Sequence, residues 1–233
     1  MFTLRKAEDR GQFDHGWLQT AHTFSFGQYY DNRHLGYRNL RVINEDYVQE
    51  GVGFPTHPHK DMEILTYILE GEIAHEDSMG NGSVIVPGDL QYMSAGTGIS
   101  HSEFNPSPKN RAHLLQIWIL PSERGAIPRY GQKHFPKAER LNQCRLLASG
   151  DGREGSIAIR QDLSLYATIL EAGKKIELPL REGRHAWIQV VQGTLKVNGM
   201  PLNAGDGLAV SKEALLQFEG SNELAEFLTF DLS

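Results

Sequence analysis

Two short segments of this 233-residue chain carry the residue types that hold metal ions. His57-Pro58-His59 places two imidazoles at i and i+2, positions that project from one face of an extended strand. His101-Ser102-Glu103 repeats the spacing with an imidazole and a carboxylate. If both segments line one interior, three imidazoles and one carboxylate converge. An octahedral divalent ion held by four such groups keeps two positions open for a substrate and dioxygen. An H-x-H alone is a weak signal; its pairing with H-x-E between Gly-rich turns is a much stronger one. Free histidine titrates near ~6.5, so such a site is expected to release its metal below roughly pH 5 to 6.

The elements that must position these residues read as β. Short apolar runs recur between Gly, Pro and Asn, and helical periodicity is scarce. Leu40–Asn44, Glu63–Leu69, Ile73–Glu76, Ser83–Val86, Leu90–Ser94, His101–Asn105 and Leu114–Leu120 are expected strands. Asn81-Gly82 marks a hairpin and Pro87-Gly88-Asp89 a turn. Residues 121–150 are less regular and carry Pro121, Pro128 and Pro136. They separate an expected N-terminal unit, 1–135, from a second β-rich unit, 136–233.

The two units look like copies. A shift of about 122 residues lays Gly51 on Gly173 and Gly71 on Gly193. After the hairpin loop the shift becomes about 117, and Pro87-Gly88-Asp89 meets Ala204-Gly205-Asp206. On this alignment His57 meets Pro179, His59 meets Arg181, Glu63 meets His185, His101 meets Phe218 and Glu103 meets Gly220. The second copy keeps no metal-binding position, so it is expected to be structural, with His185 an ordinary strand histidine.

The motifs resemble those of the cupins. Gly51-x5-His57-x-His59-x3-Glu63 fits the first cupin motif, and Gly88-x5-Ser94-x-Gly96-x4-His101-x3-Asn105 fits the second with departures. Ser94 replaces the usual Pro, and two extra residues precede the His. These departures resemble the pirin branch, as do His22-Thr23-Phe24-Ser25-Phe26, His57–Glu63, Pro87–Met93 and Gly96–Glu103. The resemblance implies an all-β bicupin: two antiparallel, jelly-roll-like β-barrels packed face to face, with one metal in the N-terminal barrel. Carried over, the metal residues are His57, His59, His101 and Glu103. The general cupin pattern would use Glu63 instead. In the pirin pattern Glu63 is a neighbour that either orients a metal-binding histidine or sits solvated at a strand start.

What the resemblance implies about activity is a quercetin 2,3-dioxygenase. Such an enzyme opens the heterocyclic ring of a flavonol with O2 and releases CO, with Glu103 as the candidate base. Fe(II) is the expected ion, with Zn, Mn, Ni, Co or Cu as alternatives. The other reading is a non-catalytic regulator that senses metal or redox state and docks another protein. Phe54 and Met93, beside the two metal-binding segments, are the expected pocket residues; Trp118 and Phe104 could join them, and core packing explains all four equally well.

Charge and composition narrow the partners. Lys and Arg total 23 against 29 Asp and Glu, a net charge of −6, which disfavours a nucleic-acid binder. No apolar run approaches the ~20 residues of a membrane helix, and no secretory h-region is visible. A single Cys144 precludes an intrachain disulfide and suits a reducing cytoplasm. A monomer is expected in preference to an obligate oligomer.

Overall fold

The computed structural model describes residues 1–233 as an all-β chain of 22 strands with one single-turn helix, Lys137–Arg140. It divides into two compact units. One holds residues 11–134 and 159–161; the other holds residues 1–10, 135–158 and 162–233. Two short segments therefore cross a division at residue 135. Phe2–Arg5 pairs antiparallel with Gly207–Ser211 in the second unit, and Ile159–Gln161 belongs to the first.

Each unit is built from a seven-stranded and a four-stranded sheet. In the first, the larger sheet runs Arg129–His134, Asp89–Ser94, Glu63–Glu70, Ala112–Ile119, Leu40–Val48, Leu18–His22, Gly11–Asp14. The smaller runs Gly53–His59, Ile99–Phe104, Ile73–Asp77, Gly82–Ile85. The expected jelly-roll-like architecture is present in each unit, with sheets that do not close into a ring: the outer strands of each sheet have no mutual pairing. The two sheets share a core in which Leu18, Val48, Ile68 and Leu114 meet Ile73 and Ile85. That burial, rather than ring closure, holds each unit together.

Strand pairing carries the internal repeat through. Glu63 lies opposite Ser94 and Tyr67 opposite Leu90; His185 lies opposite Ser211 and Gln189 opposite Gly207. These are shifts of 122 and 117, as the alignment requires. The smaller sheets depart from it. Phe54 faces Glu103 across the first, and its counterpart Ile176 faces Phe218 across the second. Phe218, not Gly220, thus stands where Glu103 does.

Candidate metal centre

The four-stranded sheet of the first unit positions the site. His101 pairs with His57 and Ile99 with His59, so two neighbouring strands present three imidazoles together. Their ring centroids form a near-equilateral triangle: His57–His59 4.8 Å, His57–His101 4.5 Å and His59–His101 4.8 Å. His57 and His59 are half-buried; His101 is buried. The three could hold a metal ion, their nearest ring nitrogens lying within 4.8 Å of one another.

A β-bulge shapes this corner. His57 to Phe54 spans three residues where His101 to Glu103 spans two. The extra residue lets Phe54 and His57, which a regular strand would send to opposite faces, both turn inward. Pro55 sits in the bulge, where its missing N–H costs no ladder bond, and its carbonyl accepts from His57 Nδ1 at 2.8 Å. That contact leaves the His57 Nε2 lone pair free. The second unit has no such bulge between Lys175–Pro179 and Leu215–Gly220. Gly53 permits the close approach: a Cβ there would lie 2.1 Å from the Glu103 carbonyl oxygen.

His101 is oriented from behind. Its Nδ1 lies 3.4 Å from His75 Nδ1, and His75 Nε2 lies 3.4 Å from Asp77 Oδ2. Burial works against the Asp77 carboxylate, yet donors from Asn81 and Met79 hold it below its ordinary pKa, so it only accepts. His75 then carries its proton on Nε2 and accepts on Nδ1 from His101 Nδ1–H. The remaining His101 Nε2 is a lone pair, buried and without a hydrogen-bond partner. An orphaned nitrogen beside two other imidazoles is the donor set a divalent ion needs. The residues present fit a metal.

Glu103 lies near His101, grouped with His75 and His101 and not with His57 and His59. Its carboxylate accepts from Gln116 Nε2 at 3.1 Å and Thr66 Oγ1 at 3.3 Å. Burial pushes its pKa up to about 7 in spite of those bonds. His75, His101 and Glu103 form a second group that could hold an ion, and His101 belongs to both groups. Burial lowers His59 to about 4, and lowers His101 to about 2 with help from the neighbouring histidines. These rings stay neutral through the pH range in which free histidine titrates. Burial of Glu103 adds a carboxyl to the groups whose proton an ion must displace in that range.

Glu63 takes neither expected role. It is 1% exposed, and its carboxylate accepts from Tyr92 Oη, from Ser94 Oγ at 2.5 Å and from the Arg160 backbone N–H at 3.0 Å. Ser94, the residue that replaces the usual cupin Pro, is thus a partner of Glu63. The corresponding pair in the second unit is His185 Nδ1 with Ser211 Oγ at 3.1 Å.

Of the expected pocket residues, Phe54 is half-buried and lines a cavity beside His57. Met93 is 1% exposed and packs with Ile64, Ala95 and Ile99, with Trp118 against the same cluster. Trp118 stands edge-on to His59 at 4.9 Å. Phe104 is 40% exposed.

The chain alone conceals a polar row across the larger sheet. His22, Asn44, Gln116, Thr66 and Gln91 lie opposite one another on five successive strands. Only single polar residues inside apolar strands signal it. In the second unit Ile188 and Leu208 replace Thr66 and Gln91, with Thr229 in place of Gln116. There the interior is an apolar cluster that includes Leu178, Leu195, Leu216 and Phe218. Both groups of His and carboxylate side chains that could hold an ion lie in the first unit.

Two cupin sandwiches, one with a histidine-rich interior and one packed with hydrocarbon, define a bicupin with a single candidate metal centre. The chain belongs to the pirin family: residues 3–119 match Pirin, and residues 146–232 match the Quercetinase C-terminal cupin domain. It is 47% identical over 232 residues to the quercetin 2,3-dioxygenase of Escherichia coli K12, covering 100% of this chain and 99% of that one. It is 42% identical over 214 residues to a pirin-like protein of Caulobacter vibrioides, covering 91% and 92%. The bacterial pirin YhhW from E. coli, solved in complex with nickel(II), superposes with a TM-score of 0.94 at 47% identity, covering 100% and 99%. No helix is long and apolar enough to cross a membrane.

Proposed function

We propose that this chain is a metal-dependent flavonol dioxygenase that opens the heterocyclic ring of a quercetin-like substrate with O2 and releases CO. The observation that carries the reading is the buried, unpartnered His101 Nε2 beside His57 and His59, in a chain 47% identical to a quercetin 2,3-dioxygenase. His57, His59, His101 and Glu103 hold the ion, and Fe(II) is the proposed metal. When bound, the metal acidifies the substrate enol and orients it towards O2.

The protein's own residues do the rest. Glu103, beside the ion, takes the proton of the substrate 3-hydroxyl. Gln116 and Thr66 keep its carboxylate aimed at the site. Trp118 and Phe54 wall the centre with apolar surface, which limits water around the deprotonated substrate. The second unit, whose interior holds the apolar cluster of Leu178, Leu216 and Phe218, serves as structure.

The test is anaerobic loading with Fe(II), then quercetin and an oxygen electrode. Many equivalents of O2 consumed per chain, with CO in the headspace, support the enzyme. A single stoichiometric redox change without turnover overturns it in favour of a metal- or redox-sensing regulator.

A further inference from the structure

Next to the metal centre lies a cavity of about 220 Å3 with an unusual floor. Thr20 and His22 on one strand stand opposite Asp46 and Asn44 on the next. All four side chains are more than nine-tenths buried. Thr20 Oγ1, His22 Nδ1, Asn44 Oδ1 and Asp46 Oδ1 each lack a hydrogen-bond partner. The Thr20 hydroxyl is near enough to Asp46 to lower its pKa, yet Thr20 Oγ1 and Asp46 Oδ1 both stay without a partner. A buried orphan costs roughly 1–3 kcal/mol, so four on one floor are costly unless something binds there.

The floor is rich in acceptors. Asn44 Oδ1 can only accept. His22 is engaged with the Phe26 backbone, and its buried Nδ1 faces the cavity as the free nitrogen. The matching ligand brings O–H donors. The walls are aromatic: Phe13, Phe26 and Phe54. They suit a flat ring. Burial pushes Asp46 up to about 7 and His22 down to about 4, so between those pH values the floor carries little fixed charge. This favours a neutral ligand over an ion. The cavity is smaller than the ~300–1,000 Å3 of pockets that enclose a whole drug-sized ligand, and so suits one ring of a larger molecule. Phe54 and Phe26 lead from it to the metal centre, Phe54 against His57 at 6.5 Å and Phe26 edge-on to Trp118 at 5.2 Å.

We propose that this cavity recognises a hydroxylated aromatic ring of the substrate through Thr20, His22, Asn44 and Asp46, while the rest of the substrate reaches the metal centre past Phe54. The proposal rests on the flavonol reading above and adds to it a requirement for phenolic hydroxyls remote from the reacting end. Such a site discriminates against the analogue that lacks them, because its buried polar atoms then stay unpaired.

The experiment compares 3-hydroxyflavone with quercetin. Both present the 3-hydroxy-4-keto end, and only quercetin adds ring hydroxyls. Anaerobic titration calorimetry on the Ni(II)-loaded and the metal-free protein is expected to show quercetin binding tighter by about tenfold or more. Asn44→Leu and, separately, the nearly isosteric Thr20→Val are expected to narrow that gap; melting curves identify any variant that fails to fold. Equal affinities, a gap untouched in both folded variants, or failure of both flavonols to bind overturn the proposal. O2 consumption without any preference for hydroxyls overturns it while the dioxygenase reading stands. Hydroxyl-dependent binding without O2 consumption supports the cavity and removes the dioxygenase.

Discussion

His101 meets His75 nitrogen to nitrogen, Nδ1 to Nδ1 at 3.4 Å, with Asp77 behind His75. Because an ionised Asp77 only accepts, the chain of donors runs one way, from His101 to His75 to Asp77. The tautomer of a candidate metal-binding residue is therefore set two residues away from the ion.

The first prediction follows from that relay. His75→Phe keeps a ring beside Tyr130, on which His75 stacks at 5.0 Å, and removes the acceptor. The Ni(II) dissociation constant, measured by competition with a chelator, is expected to rise ~10- to 100-fold. His185→Ala in the second unit should leave it unchanged. An unaltered constant in folded His75→Phe would reduce His75 to packing.

Metal binding should depend on pH through Glu103. A carboxyl that binds a cation must first lose its proton, and Glu103 holds its own up to about 7. Apparent affinity should therefore fall ~tenfold per unit below pH 7 and level off above it. His59 and His101, lowered to about 4 and about 2, add no slope between pH 5 and 7. Glu103→Gln should reduce the slope of the profile in that window and weaken binding at pH 8.

The same group has the opposite consequence for the metal-free fold. Its folded pKa lies above its unfolded one, so the native protein keeps a proton the unfolded chain releases. Its contribution to stability therefore falls as pH rises from about 4.5 to about 7, then stays low. Metal-free Glu103→Gln should melt higher than wild type at pH 8, by scanning calorimetry, and nearly alike at pH 4. Equal melting at both pH values would mean that burial does not penalise the charged carboxylate.

Glu63→Gln should separate stability from metal content. Glu63 accepts from Tyr92, Ser94 and the Arg160 backbone. Loss of these charge-assisted bonds should cost about 1–3 kcal/mol in denaturant unfolding and leave metal per chain intact. Loss of the metal instead would return the site to the general cupin pattern.

Elemental analysis should find one metal per chain, removed by His57→Ala and by His101→Ala. Two equivalents would contradict a second unit whose interior is filled by Leu178, Leu216 and Phe218.

The chain alone determined the features written in local spacing. His57 and His59, or His101 and Glu103, share a strand face whatever lies beyond it. The duplication is legible because Gly51, Gly71, Gly173 and Gly193 hold left-handed turn conformations that few other residues tolerate. Tertiary structure decided what depends on pairing between distant segments. A bulge opposite Glu103 turned Phe54 and His57 to one face, cross-strand register brought His75 behind His101, and residues 159–161 came to satisfy Glu63. Neither the hydrogen bonds of Glu63 to Tyr92, Ser94 and Arg160 nor the orphaned polar floor under Thr20, His22, Asn44 and Asp46 could be read from spacing. Each depends on which side chains from other strands reach the same buried volume, and that is settled only when the sheets close over it.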